Sequence, residues 1–109
     1  MGSMVIFHYT NNLTEEEILN VMLPNRIADD VRGDHFRQMM LDGKYVPAYV
    51  IESDDLDIAF DVGNGYPPAD VSFQKLVNGG CHTSTSVGDI IIINGVKRML
   101  VMPMGFEEI

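Results

Sequence analysis

The sequence predicts a single α+β domain, with an antiparallel or mixed sheet of about four strands and two or three helices packed on one face. Three observations carry that reading. Thr14-Glu15-Glu16-Glu17 has the form of a helix capping box ahead of periodic apolar residues. Ile90 to Ile93 runs straight into Asn94-Gly95, the strongest two-residue hairpin signal. Helix-like and strand-like stretches share 109 residues without repeat, low-complexity tract or linker, a length that builds one core without disulfides or metal.

Val5-Ile6-Phe7-His8-Tyr9-Thr10 reads as a first strand, closed by Asn11-Asn12. Thr14 then caps a helix. Glu17 completes the box, and Leu13 and Ile18 occupy the staple positions around it. Three glutamates meet the positive end of the helix dipole. Ile18, Leu19, Met22 and Leu23 are expected to form the buried stripe, and Pro24 ends the helix. A second helix is expected over about Ala28 to Asp42, with Phe36, Met39, Met40 and Leu41 as its apolar face and Gly43 as a left-handed stop. Gly33 costs a helix interior about 1 kcal/mol, which moves the expected start toward Asp34.

Lys44 to Glu52 reads as a strand in which Pro47 marks an edge or a bulge. From Leu56 to Gly63 the pattern fits both periods. Leu56, Ile58, Phe60 and Val62 alternate, while Leu56, Ala59, Phe60 and Gly63 share a helical face. Ser53 with three acids after it and Gly63-Asn64-Gly65 behind decide for a short helix. Tyr66-Pro67-Pro68 is a rigid loop, and Val71 to Val77 is a helical turn or a short strand. Four isoleucines in a row imply a strand covered on both faces, hence central. Val96 to Met102 returns beside it, and Phe106 is expected to tuck under the sheet.

Composition narrows the function classes. Sixteen Asp and Glu against seven Lys and Arg give a net charge of -9, which repels polyphosphate and disfavours direct nucleic-acid binding. The same surface suits a basic protein partner. One cysteine, Cys81, excludes an internal disulfide framework and a cysteine-rich zinc site, and points to a cytosolic setting. No apolar stretch reaches the roughly 20 residues of a membrane helix. Met1-Gly2-Ser3 reads as an expression scar, leaving 4–109 as the domain.

Candidate sites are few. Cys81-His82 offers a thiol and an imidazole, but neighbours on an extended chain point to opposite faces, so His8 or His35 would have to supply the base. Thr83 to Ser86 presents four hydroxyls, yet a phosphate loop also wants a Gly-rich turn into a helix and a lysine. Ser84, Thr85, Ser86, Gly88 and Asp89 therefore read as architecture, satisfying backbone where a loop enters the central strand. Glu52, Asp54, Asp55, Asp57 and Asp61 form an acidic cluster without the ligand pattern of a calcium loop. It is the expected contact for a basic partner. No metal or cofactor is indicated by residue spacing.

Two segments together also carry a resemblance. Leu56-Asp57-Ile58-Ala59-Phe60-Asp61-Val62-Gly63-Asn64 resembles a Leu-x-x-Ala-Phe-x-x-Thr-Asn pattern. Ser84-Thr85-Ser86-Val87-Gly88-Asp89-Ile90 resembles Ser-Thr/Met-Ser-Val-Gly-Asp-Val/Ile, and Gly105-Phe106 resembles a closing Gly-Phe. These patterns are similar to those of small bacteriophage-encoded proteins and, more distantly, of YodL-like domains of mobile elements. Gly63 departs from the usual threonine, and Thr83 from a usual basic residue. The resemblance implies a phage or mobile-element origin and action in the host cytoplasm, and brings no biochemical activity with it. With no catalytic constellation among the residues, the expected role is an accessory protein that binds, and inhibits or redirects, a host protein. A small hydrolase or transferase using Cys81 or the Ser84–Ser86 loop is the alternative, with nucleic-acid binding third. A homodimer is left open, since a second copy could also cover a central strand.

Overall fold

A computed structural model describes residues 2–76 and 84–109. Among these residues six strands form one antiparallel sheet, in the spatial order Phe73–Lys75, Tyr45–Ile51, Met4–Tyr9, Ile90–Ile93, Lys97–Val101, Phe106–Glu108. The strands are β1 Met4–Tyr9, β2 Tyr45–Ile51, β3 Phe73–Lys75, β4 Ile90–Ile93, β5 Lys97–Val101 and β6 Phe106–Glu108. Three α-helices accompany them: α1 Glu15–Met22, α2 Asp29–Leu41 and α3 Leu56–Gly63. A short 3-10 turn, Pro24–Arg26, joins α1 to α2. The α+β class is as the sequence predicts. The sheet gains β3 and β6 at its two edges, each only three residues long.

The helices divide between the two faces rather than sharing one. Met4, Ile6, Ile51, Ile91, Met99 and Val101 pack with Ala59 and Val62 of α3. Ile90 and Leu100 pack on the other side with Val21 of α1 and Phe36 and Met39 of α2. The cause is the isoleucine run: a strand apolar at every position must be covered twice. β4 lies between β1 and β5, so Ile90–Ile93 is interior as expected.

A β-bulge in β2 sets which residues reach which core. Ile6 pairs with Tyr49, but Phe7 pairs with Pro47, so Ala48 is the additional residue. Ordinary alternation would place Tyr45, Tyr49 and Ile51 on one face. Instead Tyr49 and Ile51 join the α3 core and Tyr45 joins the α1–α2 core. Pro47, which has no N–H to give a ladder, stands at that irregularity.

Local chemistry explains the element ends. Thr14 Oγ1 accepts from Glu17 N at 3.1 Å, and Glu17 Oε1 accepts from Thr14 N at 2.8 Å, so the capping box is complete. Helix α2 starts at Asp29, not near Asp34, because Arg32 is locked there by Asp29 and outweighs the cost of Gly33. Helix α3 is capped by Asp55, whose Oδ1 accepts from Asp57 N at 2.9 Å, with Ser53 Oγ behind it accepting from Asp55 N. Asn94 and Gly95 both take positive φ, 53° and 73°, as the hairpin requires. Ser3 bonds this turn through its N–H to Asn94 Oδ1 and its C=O from Asn94 N.

Candidate functional site

Of the three candidate sites read from the sequence, two can be placed, and they part company. Cys81, His82 and Thr83 lie outside the described residues. The loop Ser84–Asp89 is a clamp. Asp89 is fully buried, and its carboxylate accepts from Ser86 N at 2.9 Å and Tyr9 N at 3.3 Å. Gly88 N donates to Val101 O, and Gly88 O accepts from the Tyr45 hydroxyl at 2.5 Å. Thr85 N donates to Gly63 O at 3.2 Å. One loop thereby ties β1, β2, β5 and α3 together.

Two glycines make the clamp fit. Gly88 has φ +92°, and a Cβ there would meet Val21 Cβ at 2.7 Å and Val21 Cα at 2.8 Å. Gly63, where the motif pattern has threonine, leaves space that a Cβ would contest with Thr85 Cβ at 2.8 Å. Thr85 is buried and Ser84 exposed, so the hydroxyls do not converge on one open site. The loop is occupied with holding the fold.

Buried beside this clamp is a pair that sequence reasoning does not join. His8 Nε2 stands 3.8 Å from Asp89 Oδ2, with the two side chains 1% and 0% exposed. Alternation along β1 gives the only signal for it, since His8 falls on the same face as Met4 and Ile6. Burial and the nearby Asp89 carboxylate push the Tyr45 hydroxyl well above its usual range, so it remains a hydrogen-bond donor.

The acidic residues Glu52, Asp54, Asp55, Asp57 and Asp61 are all exposed. Asp55 is engaged as the α3 cap, while Asp57 and Asp61 stand one turn apart on that helix. Glu52 lies apart from them on a shallow groove of about 190 Å³ with Val50, Ser72, Phe73 and Gln74. Among the described residues no group of three or more His, Cys, Asp or Glu side chains could hold a metal ion. No helix of the described residues is long and apolar enough to cross a membrane.

Helix α1 departs most from expectation. The residues expected to be buried, Ile18, Leu19, Met22 and Leu23, are 43% to 59% exposed. The face turned inward carries Asn20 and Val21. Asn20 is satisfied there: Oδ1 accepts from Arg26 Nη1 at 2.5 Å, and Nδ2 donates to His35 Nε2 at 3.0 Å. Those bonds link α1 to the 3-10 turn and to α2, and they offset the burial of an amide. At 100° per residue, Ile18, Leu19 and Met22 fall within one 100° sector of α1, and Leu23 follows as its C-cap. Likewise on α2, Leu41 is not part of the buried face but 81% exposed.

Beside that sector lies a groove of about 280 Å³, lined by Tyr9, Thr10, Asn11, Leu13, Ile18, Val21 and Met22. Its walls are mostly apolar, and Ile18 and Met22 belong to both groove and sector. Glu15 and Glu16 project from the same side of α1 one turn earlier, both exposed. Hydrophobic periodicity finds these residues but assigns them to the core, because a period does not say which way a helix is rotated. No family model, no curated protein and no solved structure matches this chain.

Proposed function

We propose that the protein acts by binding another protein, through the apolar face of α1 and the groove beside it. The observation that carries this reading is the inversion of α1, which turns four large apolar side chains outward and a hydrogen-bonded Asn20 inward. Each of those side chains forgoes on the order of 1 kcal/mol of burial at about half exposure. A contiguous apolar patch beside a groove is the usual mark of a contact surface, whereas scattered exposed residues are not. The acidic cluster around α3 supplies an attractive field for a basic partner rather than the contact itself. The Ser-Thr-Ser-Val-Gly-Asp resemblance supports a phage origin, with a host protein in the host cytoplasm as the partner to be inhibited or redirected.

Partner capture from lysate tests the reading with three proteins: wild type, the double variant Leu19→Glu/Met22→Glu, and Asp54→Asn/Asp57→Asn/Asp61→Asn. Both variants alter exposed positions, so thermal unfolding should match wild type closely. Loss of capture by the α1 variant, with weakened capture by the α3 variant, is the expected pattern. Full capture by the α1 variant would remove α1 as the contact.

A further inference from the structure

We infer that the occupant of the α1 face is an amphipathic helix of another protein, with apolar residues on one stripe and Lys or Arg one turn from its anchoring side chain. This rests on the reading of α1 as a protein-binding face. Shape argues for a helix. The face is the outside of an eight-residue helix about 12 Å long, so it offers no strand edge to extend. Ile18 and Met22 stand one turn apart along the wall of the groove, a spacing that another helix meets with its own residues at i and i+4. The groove volume of about 280 Å³ suits one large aliphatic or aromatic anchor.

Charge then fixes the partner's chemistry. Helix α1 contributes Glu15, Glu16 and Glu17 in its first turn and no basic residue in its last. Glu17 is drawn inward to Lys44 at 3.4 Å, with its carboxylate held below the usual range by the Thr14 N–H that it accepts from and by Lys44. Glu15 and Glu16 remain on the exposed side, next to Ile18 and Leu19. An anchor seated between Leu13 and Ile18 therefore has carboxylates one turn away, where a lysine or arginine of the partner would face them. A second copy of this chain would instead bring a charge of -9 against -9, and its own α1 carries no basic residue to offer.

Three synthetic peptides of about 18 residues, long enough to form a helix on binding, test the inference. One has leucines at helical spacing flanked by lysines; the second replaces the lysines by glutamates; the third keeps the first composition with its apolar period scrambled. Binding is followed by NMR titration of the isotope-labelled protein. The lysine peptide should bind with its largest shifts at Leu13, Ile18, Leu19 and Met22, and about tenfold more tightly than either other peptide. Its affinity should fall several-fold between about 50 and 300 mM salt, and in Glu15→Gln/Glu16→Gln, with the shift pattern retained. Equal binding of the scrambled peptide, shifts centred on α3, or a salt-stable dimer closing over α1 would each overturn it. If no lysine peptide binds while Leu19→Glu/Met22→Glu still abolishes capture from lysate, this inference falls and protein binding at α1 stands. If capture survives as well, both fall.

Discussion

Replacing Gly88 by alanine tests whether the Ser84–Asp89 loop clamps helix α1. Two costs can be separated. The first is conformational: φ is +92°, outside the range an L side chain adopts comfortably, and such positions cost about 1–2 kcal/mol. The second is steric, because the new Cβ would lie 2.7 Å from Val21 Cβ and close on Val21 O. Relieving that overlap must move either the loop or the helix, and overpacking of this kind costs about 1–3 kcal/mol. Together they predict a loss of about 2–5 kcal/mol, a large part of the roughly 5–15 kcal/mol of a domain this size. Gly95→Ala is the matched control, since its φ of +73° is also positive but nothing lies within 4 Å of its Cβ position. Equilibrium urea unfolding reads both, each kcal/mol moving the midpoint by about 0.3–1 M. The two losses should differ by about 1–3 kcal/mol, the steric share. Equal losses would refute the reasoning, because Val21 would then be yielding without cost.

Two further outcomes follow from buried polar groups. Arg32, with a side chain 5% exposed, donates to Glu107 Oε2, Asp29 Oδ1, Pro24 O and Ile27 O; Arg32→Ala leaves those carbonyls without their donor and should cost about 1–3 kcal/mol in urea unfolding, since the two carboxylates reach water. It should also release β6, seen as faster amide exchange at Phe106–Glu108. Tyr45 has its ionisation raised in the folded state by burial and by Asp89, so folded protein keeps a proton that the unfolded chain loses near pH 10. Its contribution is intact below pH 10 and is lost as pH rises above it; unfolding at about pH 9 and 11 should therefore show a smaller alkaline loss in Tyr45→Phe than in wild type.

Most of the element order is legible in the sequence because its signals are local. Thr14 and Glu17 define a helix start between themselves, Asn94-Gly95 defines a turn, and the acids after Ser53 with Gly63-Asn64-Gly65 behind resolve an ambiguous segment as helix. The short edge strand β6 is not legible, because Phe106–Glu108 owes its place to Met99–Val101 and to Arg32 on a distant helix. The same holds for the rotation of α1. A capping box says where a helix begins and is silent about which side turns inward. Asn20 is a poor core residue on composition alone, and only His35 and Arg26 make it a good one. The acidic cluster is readable as exposed charge, while the groove beside α1 needs Tyr9 and Leu13 to be brought to Ile18 and Met22 by the fold.

The additional residue in β2 has a consequence for how this chain can tolerate length changes. A strand has two sides, so one inserted residue acts as a change of sign for everything beyond it. Removing Ala48 would restore plain alternation and send Tyr45 toward the α3 side, or Tyr49 and Ile51 toward the α1–α2 side. Either exchange empties a hole in one half of the protein and overfills the other, although no side chain has changed its chemistry. Point substitutions near Pro47 are thus far safer than a deletion of one residue, and the bulge acts as the fold's internal ruler.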